Sequence, residues 1–81
     1  MTRQSRSQRW ANSCAAAEAA LQSLLDIQSE YQEWKENLPE NLEDSPVGEK
    51  LDEVCDLEIQ SALDMVQDAN ALDLPQGFGR D

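Results

Sequence analysis

Histidine is absent from the 81 residues. The commonest general base and the commonest transition-metal ligand are therefore missing, and so are the Glu-x-x-His pairs of di-iron bundles. Cysteine occurs only as Cys14 and Cys55. Two thiols in a chain with no export signal read as reduced and buried. Glycine and proline number three each, and runs of valine, isoleucine and threonine are missing, which argues against an all-β fold. The aromatics are Trp10, Tyr31, Trp34 and Phe78, enough for one small core and too few for a core plus a deep catalytic pocket. No stretch approaches the ~18–20 apolar residues needed to cross a bilayer. The basic N-terminus is not followed by the apolar segment of a secretory signal. The expected compartment is the cytoplasm, with no membrane partner.

Cations are also scarce, and their distribution is uneven. Residues 1–35 carry Glu18, Asp26, Glu30 and Glu33 against Arg3, Arg6, Arg9 and Lys35, and are neutral. Residues 36–81 carry thirteen acids against Lys50 and Arg80, so the whole net charge of −11 lies there. One half suited to packing is joined to one suited to a cationic partner. A single domain of this length buries a modest fraction of its surface and gains from dimerising or binding.

What the chain does have is helical periodicity. From about Arg9 to Glu36, Trp10, Ala17, Leu24, Tyr31 and Leu38 recur every seven residues. Ala20, Ile27 and Trp34 fill the intervening positions, with Ser13 as the polar member, and Cys14 and Leu21 widen the stripe. This is the seam of a bundle helix or short coiled coil. Trp10, Tyr31 and Trp34 on it read as packing residues, with Trp34 near the turn as a candidate anchor for a partner. Residues 37–45 form the turn, where Pro39 cannot continue a helix and Leu38 and Leu42 are expected to fold back over the hairpin end. Ser45-Pro46 is a helix start, followed by Val47, Leu51, Val54 and Cys55 as a buried stripe. The phase falters at 56–58, where a break is expected, with Asp56 capping a third helix that carries Ile59, Ala62, Leu63, Val66 and Ala69; a continuous helix kinked there is the alternative. In a hairpin turning near residue 42, Cys14 and Cys55 lie far beyond the ~7 Å reach of a disulfide.

The expected fold is thus all-α: a helical hairpin or small three-helix bundle. Residues 1–8 form a flexible basic arm, 9–73 a single helical domain and 74–81 an irregular tail, with Leu72, Leu74 and Phe78 expected to tuck onto the bundle.

The main constellation is acidic. Glu49, Asp52, Glu53, Asp56, Asp64 and Asp68 follow steps of three and four residues, interrupted by Gln60. On a helix such steps set neighbours ~5–6 Å apart on one face, a spacing broadly like that of phosphates along a nucleic-acid strand. Such a face suits a protein whose groove expects polyanion; its plain alternative is a solvated surface that maintains solubility. These acids lie along one face and form no cation-binding loop, so no metal site is expected. Arg3, Arg6 and Arg9 share three-residue spacing, but three charges against −11 oppose direct nucleic-acid binding. Cys14 has no base beside it, and no glycine-rich phosphate loop precedes a helix. Neither an enzyme nor a cofactor is expected.

The segment Tyr31-Gln32-Glu33-Trp34-Lys35-Glu36-Asn37-Leu38-Pro39-Glu40-Asn41-Leu42 and the ending Asp73-Leu74-Pro75-Gln76-Gly77-Phe78-Gly79-Arg80-Asp81 resemble a set of short acidic, uncharacterised proteins of bacteriophages and mobile elements. The resemblance covers the turn and tail, contains no catalytic motif and transfers no site residue. It implies a small protein acting inside a bacterial cell, where inhibitors of restriction and CRISPR systems are often small and acidic. The expected function is a non-enzymatic interaction protein, a phage-type inhibitor binding a basic, nucleic-acid-handling host protein by charge mimicry through Glu49, Asp52, Glu53, Asp56, Asp64 and Asp68. The alternative is a structural or assembly protein that forms homo-oligomers through Trp10, Ala17, Ala20, Leu24, Ile27, Tyr31 and Trp34.

Overall fold

The computed structural model describes residues 5–75. Among them there is no strand. The elements are α1 (Arg6–Glu36), a 3₁₀ turn (Glu40–Leu42), α2 (Pro46–Asp56) and α3 (Ile59–Asn70). The fold is all-α. α1 packs against both α2 and α3, so the return arm of the hairpin is a helix in two pieces laid along one long helix. The molecule measures 64 × 25 × 16 Å with a radius of gyration of 19.1 Å, against about 12 Å for a compact chain of this length. It is an extended hairpin rather than a closed three-helix bundle.

α1 begins earlier than its apolar pattern suggests. Ser5 is extended, and its hydroxyl accepts the Gln8 amide at 3.1 Å, satisfying one of the donors left open at a helix start. Three residues of the expected arm, Arg6 to Gln8, therefore belong to the helix; Arg3 lies outside the described residues. At the other end Lys35 in the last turn suits the helix dipole, and the Asn37 amide closes onto Glu33 and Trp34 carbonyls at 3.1 Å before Pro39 ends the ladder.

The turn is held from both sides. The Leu42 amide donates to Pro39 at 2.9 Å and the Ser45 amide to Leu42 at 3.1 Å. Ser45 caps α2: its hydroxyl accepts the Gly48 amide at 3.3 Å and donates to the Leu42 carbonyl. Gly48 is buried where α2 presses on this turn. A β-carbon there would sit 2.1 Å from the Glu43 carbonyl oxygen and 2.9 Å from that of Leu42, so the close approach requires glycine. Leu38 is half-buried at the hairpin end, while Leu42 stays exposed.

The return arm breaks after Asp56, at Leu57, which is extended at φ −65°, ψ 133°. Glu58, and not Asp56, occupies the N-cap of α3, and its side chain makes no capping bond. The break is filled from α1 instead. The Gln28 side-chain amide donates to the Val54 carbonyl at 2.8 Å and to the Leu57 carbonyl at 2.9 Å, completing acceptors at the end of α2, where the Val54 carbonyl otherwise takes only the Leu57 amide at 3.3 Å. Trp10 does similar work at the far end, its indole N–H donating to the Ala69 carbonyl at 2.9 Å.

The core is small. Among the described residues, only Cys14, Leu51 and Leu63 are buried apolar residues, at 8%, 3% and 2% exposure. Around them Ala17, Leu21, Leu25, Tyr31, Val54, Cys55, Ile59, Ala62, Val66 and Ala69 are half-buried. Leu51 and Leu63 each contribute roughly 1.5–3 kcal/mol of transfer free energy. Both cysteines are free thiols. No helix of the described residues is long and apolar enough to cross a membrane.

Candidate functional site

Two surfaces result from this packing, one acidic and one apolar. All six acids of the expected constellation are exposed. Their steps of three and four residues turn Glu49, Glu53 and Asp56 on α2, and Asp64 and Asp68 on α3, away from the stripes that face α1. They form the outer edge of the return arm, with the Leu57–Glu58 break between the two groups.

Asp52 stands apart from the other five. It lies at the margin of α2 nearest α1, and its Oδ1 is 2.9 Å from Lys35 Nζ. The hydrogen bond and the charge of Asp52 hold the Lys35 ammonium above its usual lysine range. Asp52 is thus a link between the arms. Of the six, it alone forms an ion pair among the described residues. Asp64 accepts a hydrogen bond from the Gln60 amide at 2.9 Å, so the residue that interrupts the acidic run also orients one of its members. Among the described residues, no group of three or more histidine, cysteine or carboxylate side chains is placed to hold a metal ion.

The apolar surface lies on α1. The face that α2 and α3 cover is built on Cys14, Leu21, Leu25, Gln28 and Lys35, the flank of the heptad pattern rather than its centre. The seven residues read as a self-association seam divide accordingly. Ala17 and Tyr31 are half-buried at the margin of the hairpin interface. Trp10 is tied to Ala69. Ala20 is exposed, and Leu24, Ile27 and Trp34 are exposed at 48%, 45% and 51%. Tyr31 and Trp34 stack, with centroids 6.1 Å apart and planes 20° from parallel. Beside them opens a groove of about 260 Å³ lined by Tyr31, Trp34, Val47, Lys50, Leu51 and Val54. Val47, expected in the buried stripe, is exposed there. Helical spacing carries the exposed Met65 of α3 to the same side of the hairpin.

Two further grooves mark the ends. One is lined by Lys35, Leu38, Glu43, Asp44, Gly48 and Asp52 at the turn. The other, lined by Arg6, Ser7, Trp10, Leu74 and Pro75, shows the start of the tail lying over the first turns of α1. Leu74 is half-buried there and Leu72 is exposed; Phe78 lies outside the described residues.

Gln28 and Gly48 escaped the sequence reading. Gln28 is a polar residue at a heptad position of the inner face, so it looks like a solvated one. Gly48 did carry a signal, since a glycine three residues into a helix costs about 1 kcal/mol against alanine and implies a packing reason. In comparisons with protein-family models, curated proteins and solved structures, the chain matches none.

Proposed function

We propose that this chain is a non-enzymatic, acidic interaction protein whose return arm engages a cationic surface on another protein, one that handles nucleic acid. One observation carries the reading. Glu49, Glu53, Asp56, Asp64 and Asp68 line an exposed edge with no described cation paired to them. Such an edge projects a negative potential that attracts basic grooves over roughly a Debye length, about 8 Å at physiological salt. In the context implied by the phage and mobile-element resemblance, the partner is a host component such as a restriction or CRISPR protein, and the consequence of binding is inhibition by charge mimicry. Asp52 is left out of the binding set, because Lys35 already holds it.

The test is capture from bacterial lysate at low and at high salt, using the wild-type chain and a variant carrying Glu49→Lys, Glu53→Lys, Asp56→Lys, Asp64→Lys and Asp68→Lys. Salt-sensitive capture of a basic nucleic-acid-handling protein should vanish in the variant while its helical circular dichroism is retained. Equal capture by both chains would sink the charge-mimic reading. A second reading, self-association for assembly, is favoured by a different observation, the uncovered Leu24–Ile27–Trp34 stripe.

A further inference from the structure

We infer that the uncovered stripe of α1 is the seam of an antiparallel homodimer, centred near Leu24, in which a second copy of this chain covers Ala20, Leu24, Ile27 and Trp34. The inference is independent of what the acidic edge binds.

Area is the first argument. The chain exposes 6698 Å². A compact folded chain of 9.1 kDa exposes about 4,900 Å². The excess is about 1,800 Å², and it is still about 650 Å² if the ten residues outside the described range are counted as fully exposed. Over two copies these bounds become about 1,300 and about 3,600 Å², spanning standard-size to obligate interfaces. The rod thus exposes enough surface beyond that of a compact chain for one of its faces to be of the size a specific dimer buries.

Side-chain volume sets the direction. Beyond Trp10, which is tied to Ala69, the N-terminal half of the stripe is small: Ser13, Ala16 and Ala20. The C-terminal half is large: Leu24, Ile27, Tyr31 and Trp34. Two parallel copies would set small against small at one end, leaving voids, and Trp34 against the partner's Trp34 at the other. An antiparallel pair with its two-fold axis beside Leu24 sets Ser13 near the partner's Trp34 and Ala20 near the partner's Ile27, while the two Leu24 side chains flank the axis. Trp34 and Ile27 then meet small residues, and the one like pair falls at the two-fold axis, as a symmetric interface requires. Val47 and Met65 widen the seam from the return arm.

Charge does not set the direction. Both ends of the rod carry both signs: Arg6 and Arg9 lie at the end where Trp10 meets Ala69, with Asp68 and Asp73, and Lys35 and Lys50 lie with Glu36, Glu40, Glu43 and Asp44 at the turn end. No carboxylate lies on the stripe between Arg9 and Trp34, so self-repulsion is confined to surfaces outside the seam.

The experiment begins with sedimentation equilibrium of the full chain. The expected mass is twice the 9.1 kDa of one chain. A monomer at concentrations up to ~1 mM, the range of the weakest measurable association, would overturn the inference. Leu24→Asp buries a charge pair at the axis and should weaken association about 100-fold or more, with helical dichroism retained. Direction is read by oxidation in a Cys14→Ala, Cys55→Ala background, where the new thiols replace exposed side chains. A Ser13→Cys chain mixed with a Trp34→Cys chain should cross-link to each other, whereas Ser13→Cys alone should not. Cross-linking of Ser13→Cys to itself in preference would refute the antiparallel seam. The five-lysine variant of the acidic edge should remain a dimer, which separates failure of this inference from failure of the proposed function.

Discussion

The two arms of the hairpin solve the same packing problem in opposite ways. α1 is unbroken, close to neutral and apolar around more than half its circumference. The return arm is short, acidic and interrupted, yet it supplies Leu51 and Leu63, two of the three buried apolar side chains among the described residues. Helix length and apolar content thus do not locate the core. The arm with fewer apolar residues concentrates them on one stripe and buries them well; the richer arm spreads them and leaves half of them uncovered. A helix that is apolar on two flanks is expected to have two neighbours, and α1 has one along its inner flank.

The sharpest way to break this contrast is to delete the return arm's anchors. Leu63→Ala should cost about 2–4 kcal/mol and Leu51→Ala a similar amount, whereas Cys14→Ala on α1 should cost about 1 kcal/mol. Chemical denaturation at one fixed protein concentration reads all three, and equal costs would erase the asymmetry. Next is Gly48→Ala. In an ordinary helix interior that change stabilises by about 1 kcal/mol; here the added methyl meets the Glu43 and Leu42 carbonyls, and a loss of about 1–3 kcal/mol is expected. A gain would mean that α2 does not press on the turn. The smallest effect is that of Lys35→Met, which removes the link to Asp52. Because the ammonium is held above its usual range in the folded chain, the pair's contribution is complete below the unfolded lysine value of about 10.4 and fades as pH rises through the folded value. The difference in melting temperature between wild type and variant should be slight at neutral pH, shrink with salt and close in strongly alkaline buffer.

Much of this architecture is legible in the residues. Ser45-Pro46 marks the start of α2, Pro39 the end of α1, and the charged pair around Leu57 the break. The hairpin register follows from the turn, since Trp10 meets Ala69 and Gln28 meets Val54. The rotation of α1 was not legible. Its heptad of Trp10, Ala17, Leu24 and Tyr31 reads as the packed seam, but the return arm settles one flank over, on Cys14, Leu21 and Leu25. A period of 3.5 reports that a face exists; when apolar residues occupy adjacent faces it does not say which one an intramolecular partner takes. The inner face is further disguised by Gln28 and Lys35, whose polarity is used for bonds to backbone and to Asp52. On the acidic edge, spacing located the exposed carboxylates but not the exception, because the reach of Lys35 to Asp52 depends on how the two helices are rotated.

Heptad repeats carry a known ambiguity: two such helices can slip by seven residues and still match apolar to apolar. The Gln28 clasp removes it. Its amide offers two hydrogens, one to the Leu57 carbonyl and one to the Val54 carbonyl, which otherwise takes only the 3.3 Å bond from the Leu57 amide; neither carbonyl has a regular helical partner, because the return arm is interrupted. Slipped by one repeat, the same amide would face a helix whose carbonyls are already engaged by its own backbone. The interruption therefore works as an address mark, a single spot on an otherwise repetitive arm that a side chain of α1 can read. The alignment of the whole rod is encoded in one glutamine and one gap.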